Sequence, residues 1–153
     1  MITPIDVLCL AISAGGIALE GQRGIIASGV DLLLVIGIAV VARYGYGPLS
    51  PYIGSPSWTY ALLVAVLLGS AALISIAISR RVKVLMTPLE ATVAAFMGLL
   101  SGAVLTFILF EWLAIRYGPQ APILQDSIIA WLLYDFAGFH ALVDLYGKFQ
   151  GPQ

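Results

Sequence analysis

No charged residue occurs between Tyr60 and Ser79, a run of twenty apolar and small residues. A run of that length spans a hydrocarbon layer about 30 Å thick as one helix. It also has no room for the alternating pattern of a strand with one wet face. The rest of the chain is of the same kind. Of its 153 residues, 61% are hydrophobic and 10% are charged, where soluble domains carry about 25% charged residues. There is too little charge to cover a water-facing surface, so the expected class is an integral, all-α membrane protein. A net charge of −1 offers no basic patch for nucleic acid.

Three further apolar segments flank that run. Ile5 to Leu19 is short for a span. Ile25 to Ala42 is long enough but holds Asp31, and Ala91 to Ala114 is interrupted only by Glu111. The stretch YGYGPLSPYIGSPSW, rich in glycine, proline and aromatic residues, predicts an interfacial loop between the second and third spans. RRVKVLMTPLE predicts a basic connector before the fourth. There Thr87 caps the helix, Pro88 takes its first position and Glu90 its first turn. The N-terminus lacks the basic start and small-residue cleavage site of a signal peptide.

From Asp126 to Lys148 the pattern becomes amphipathic. Ile128, Leu132, Phe136, Phe139, Val143 and Tyr146 share one helical face, opposite His140, Asp144 and Lys148. Asp135 argues against a fifth span, so a helix lying on the membrane or docked on the bundle is expected. The expected architecture is four transmembrane helices in residues 1–118, followed by an amphipathic interfacial tail over 119–153. Arg23, Arg80, Arg81 and Lys83 on the connectors outnumber Arg43 and Arg116 near the other ends of the spans. The positive-inside rule then places the connectors in the cytoplasm and both termini outside.

No catalytic constellation is visible. The chain has one histidine, His140, and one cysteine, Cys9, so neither a histidine pair nor a cysteine cluster is available for a metal. No cofactor is expected. His140 is either a polar-face residue beside Asp144 or, as a remote alternative, an axial ligand to a haem or chlorophyll-type pigment. The fourth span carries small residues at helical spacing, among them Ala94, Gly98, Ser101 and Gly102. They suit close packing within the chain, contact with another subunit, or the wall of a pore. Asp31 requires compensation inside an apolar segment. It pairs with Arg23 or a basic group of the third connector, or sits protonated near the interface; the functional alternative is an ion or proton pathway. On an ideal helix Arg23 lies about 12 Å away, too far for direct contact. Glu20, Arg23 and Gly24 form the turn between the first two helices.

These features together resemble the colicin V production protein family of bacterial inner-membrane proteins. Ile5-Asp6 opens the first helix, Arg23-Gly24 begins the second after a glycine-flanked turn, and a basic connector leads to PLEATVAAFMGLLSGAVL. QDSIIAWLLYDF fits the family's amphipathic tail. Ala27 and Ser28 stand where members usually have an Arg-Glu pair. At the fourth helix, Glu90 keeps the acid and Ala91 lacks the base. There Ala94 replaces a glycine, Gly98 and Gly102 keep the later ones, and Ser101 stands where a basic residue is common. The resemblance implies a protein of the bacterial inner membrane tied to colicin V export and envelope maintenance. With no nucleophile–base or metal set in the chain, the expected role is non-enzymatic, a scaffold or accessory subunit that works by helix–helix contact and whose partners are membrane lipids and other membrane proteins or copies of itself. A small homo-oligomeric channel lined by the fourth helix is the alternative.

Overall fold

The computed structural model describes residues 2–81 and 87–134, all as helices and short turns. The elements are α1 (Pro4–Glu20), α2 (Ile25–Ile53), α3 (Pro56–Arg81), α4 (Pro88–Tyr117), α5 (Pro122–Gln125) and α6 (Ile128–Tyr134). Three of them, α2, α3 and α4, are long and apolar enough to cross a membrane. The first helix has 17 residues, about 25 Å at 1.5 Å per residue, which is less than the hydrocarbon thickness.

α1 and α4 begin alike. The chain reads Thr3-Pro4-Ile5-Asp6 at one and Thr87-Pro88-Leu89-Glu90 at the other. Each threonine hydroxyl accepts from the backbone N–H three residues on, and each acid accepts from the threonine N–H. Those reciprocal bonds satisfy helix-end donors that have no partner within the helix. Proline in the first turn gives up no bond there.

The stretch expected as a loop is mostly helix. α2 continues through Pro48 and Pro51 to Ile53 and turns at Gly54, with φ +132°, before α3 starts at Pro56. Proline lacks the N–H that would reach the carbonyl four residues back. For Pro51 that carbonyl is Gly47 O, and the Ser50 hydroxyl donates to it instead, at 2.9 Å. Tyr46 and Tyr60 pack edge to face, with centroids 5.7 Å apart, and hold this extension of α2 against α3.

α4 is the most buried of the three long helices and α3 the least. α1 lies antiparallel along α4, and α2 and α3 form a hairpin on another side of it. Two apolar clusters result. One joins Ile5, Cys9, Phe110 and Leu113 to Leu124 and Ala130; the other joins Ile38, Ala39 and Ala42 to Tyr60, Val104 and Ile108. The outer surface carries large apolar side chains, among them Val7, Leu10, Leu33, Val66 and Leu73. Water would penalise such a surface, and lipid would not.

The docking of α6 differs from the expected phase. Ala130 is buried and Ile129 and Leu133 pack on the first cluster, while Ile128 and Leu132 are exposed. Asp6 sets that phase. It accepts from the Ser127 hydroxyl and from Ile129 N–H at 3.1 Å, and Ser127 caps Ala130 N–H at 3.0 Å. An acid of α1 thereby completes the N-terminus of α6, where negative charge is favoured. His140 and the remainder of the expected amphipathic tail lie outside the described residues.

Candidate functional site

Four polar side chains meet where α1 turns into α2. α1 ends at Glu20, and Gly24 then adopts φ +85°, ψ 162°. Only glycine takes that conformation at little cost. The backbone therefore leaves the helical path between Arg23 and α2, and the guanidinium folds back along α2. Arg23 Nη1 donates to Asp31 Oδ2 at 2.8 Å. The separation of about 12 Å expected from a continuous helix does not apply, because the residues between them are not one helix. A basic group of the third connector is not needed for the contact.

The same Nη1 donates to Ser75 Oγ at 3.0 Å and lies 3.5 Å from Glu20 Oε1. The Ser75 hydroxyl, on α3, in turn donates a hydrogen bond to Asp31 Oδ2 at 2.8 Å. Ser28 donates to the Glu20 backbone carbonyl at 3.2 Å and ties the start of α2 to the end of α1. Two carboxylates thus share one guanidinium.

A second ion pair lies farther along α2. Arg43 Nη1 is 3.1 Å from Glu111 Oε1, whose side chain is largely buried. Glu111, the one interruption of the fourth apolar segment, is thus paired inside the bundle. Asp31 and Arg43 are about 18 Å apart along α2. Centred in a layer about 30 Å thick, each would sit about 6 Å inside the hydrocarbon boundary. At that depth unpaired charges are expensive, and pairing is the usual solution.

Between the α2–α3 hairpin and α1 lies a cavity of about 340 Å³ with α4 at its back. Gly15, Gly16, Leu34, Leu68, Ala72 and Leu105 give it apolar walls, and Glu20, Arg23, Asp31, Ser75 and Ser101 are its polar members. Glu20 Oε2 and Ser101 Oγ are buried without a hydrogen-bond partner among the described residues. Native structures leave few such atoms unsatisfied.

The small residues of α4 divide between α1 and this cavity. Gly98 lies against the Gly16 backbone, and Gly102 against Ser13. Ser101 and Gly102 also border the cavity, and Ala94 is fully buried. Sequence reasoning singled out Glu20, Arg23, Gly24 and Asp31, and they stand together here. It missed Ser75, which α3 supplies from 44 residues downstream of Asp31. It also missed Asp6 with Ser127, although the repeated Thr-Pro-x-acid pattern was a signal for Asp6. Among the described residues no group of three or more histidine, cysteine, aspartate or glutamate side chains is placed to hold a metal.

Fold and site together define a helical membrane protein with internally paired charges. Compared with known proteins, the chain matches no family model, no curated protein and no solved structure.

Proposed function

We propose that the protein is a four-helix, multi-pass protein of the bacterial inner membrane that works without catalysis, as a scaffold or accessory subunit of a larger membrane complex. The observation that carries this reading is how unevenly the bundle buries its helices. α4 packs against α1, α2 and α3 and is the most buried of the three long helices, whereas α3 is the least buried and keeps an apolar outward side. On α3, Leu62, Val66 and Leu73 are exposed, and a side chain added at Gly69 would meet open space. That side is available to lipid or to a helix of another subunit. α1 serves as the fourth span in this reading, its short length met by local thinning of the bilayer. The basic connectors then face the cytoplasm. Membership of the colicin V production family accords with the Asp6, Arg23-Gly24 and Gly98/Gly102 motifs.

The second reading is a homo-oligomeric channel lined by α4. Ser101 and Gly102 border a cavity, which favours it. Against it, Gly98 and Gly102 face α1 of the same chain, so a pore on that face of α4 requires α1 to move aside. Purification in mild detergent followed by mass spectrometry separates the two. A stable hetero-complex supports the subunit; a homo-oligomer alone supports the channel.

A further inference from the structure

We propose that Glu20 and Asp31 form a site for one proton, carried on Glu20 and shared with Asp31, that latches the junction of α1, α2 and α3. The first observation is the contact between the two acids. The Glu20 carboxyl is hydrogen-bonded to Asp31, and an ionised carboxylate can only accept. A bond between two carboxyl groups therefore requires a proton on one of them.

The second observation says which one. Asp31 Oδ2 accepts from Arg23 Nη1 and from the Ser75 hydroxyl, both at 2.8 Å, the charge-assisted setting of an ionised carboxylate. Glu20 Oε1 is 3.5 Å from the same nitrogen, beyond a good hydrogen bond. Glu20 is 7% exposed, and its Oε2 meets no N–H or hydroxyl donor among the described residues. A proton on Glu20 gives that carboxyl a partner in Asp31 and leaves one negative charge facing one guanidinium.

The third is what else faces the pair. The turn supplies Arg23, α2 supplies Asp31 and Ser28, and α3 supplies Ser75. α4 presents Gly98 against Glu20 Cβ, and its Ser101 borders the cavity. Glu90, at the start of α4, accepts from Thr87 N–H, about two helical turns from Gly98. Among the described side chains Arg23 is thus the one cation on the two acids. The cavity borders both acids, so the proton is not sealed in. Its release would leave two negative charges on one guanidinium, where unpaired charge is expensive, and would break the bond between the end of α1 and α2.

The test uses infrared spectroscopy of the full chain at neutral pH in a maltoside detergent, which has no carbonyl of its own. The wild type should show a carboxylic-acid C=O band that is lost in Glu20→Gln. Asp31→Asn should lose it equally, because Glu20 then ionises and takes the Arg23 charge alone. Glutamate labelled with carbon-13 at the side-chain carboxyl should shift the wild-type band, and aspartate labelled in the same way should leave it, a readout that needs no variant to fold. The latch is read from the thermal midpoint between neutral and alkaline pH. The folded chain holds a proton that the unfolded chain has already released, so stability falls as pH rises. Glu20→Gln, whose amide donates to Asp31 at every pH, should show a smaller fall. Absence of a glutamate acid band from the wild type, or its full retention in Glu20→Gln, overturns the proposal. So does a band that survives Asp31→Asn, which would mean that burial alone holds the proton, and so do equal falls of the two midpoints.

Discussion

The contact between α1 and α4 is close enough to separate neighbouring glycines by a single methyl group. A Cβ built on Gly98 stands 2.7 Å from the Gly16 carbonyl carbon and 2.9 Å from Glu20 Cβ, and the Gly16 carbonyl oxygen is nearer still. Carbon atoms pack at about 3.5–4.0 Å, so Gly98→Ala must push the helices apart by about 1 Å. Overpacking of that kind costs about 1–3 kcal/mol. It is opposed by the helical preference for alanine over glycine, about 1 kcal/mol. The net expectation is a loss of up to about 2 kcal/mol, or roughly 4–8 °C in the thermal midpoint for a chain of this size. Gly16→Ala meets the Gly98 backbone in return and should behave alike. Gly15→Ala is the internal control. Its methyl meets nothing within 4 Å, so only the propensity gain remains and the midpoint should stay or rise. The assay is thermal unfolding in one detergent, followed by circular dichroism and by loss of the monodisperse peak. Gly98→Ala and Gly16→Ala melting no lower than Gly15→Ala would refute the close approach.

Three further outcomes follow from the polar contacts. Asp31→Asn keeps an oxygen for the Arg23 and Ser75 donors and should retain assembly and fold. Asp31→Leu leaves both donors without that acceptor and should cost about 1–3 kcal/mol, read from the same thermal scan. Asp6→Ala removes the acceptor shared by Thr3, Ser127 and Ile129. It should detach α6, seen as faster limited proteolysis between Gly118 and Tyr134, whereas unchanged cleavage would show that apolar packing alone docks the segment. With Cys9 replaced, single cysteines at Asp126 and Lys148 should react with a membrane-impermeant reagent from the same side. Reaction from opposite sides would reveal a span beyond α4.

What the sequence determined by itself is the class of fold. Apolar runs without charge leave the backbone only one way to satisfy its polar groups in lipid, and that is helix. α3 and α4 are visible on that ground. The start of α4 is also visible, because capping is a local matter of four residues. The end of α2 was not. Pro48, Pro51 and their glycines have the composition of a loop, and the helix survives because Ser50 supplies the bond that Pro51 cannot and Tyr60 holds Tyr46 in place. Tertiary structure alone decided the partners of the charges. Asp31 needed compensation on sequence grounds, but its contact with Arg23 depends on how Gly24 bends the chain, and Ser75 joins them only because α3 packs beside α2. Glu111 finds Arg43 in the same way. The phase of α6 is likewise set across 121 residues, from Asp6 to Ser127. Hydrophobic run length and helix caps act along the chain, within reach of periodicity. Charge pairing and cavity shape act between helices, and they exist only once the bundle has closed.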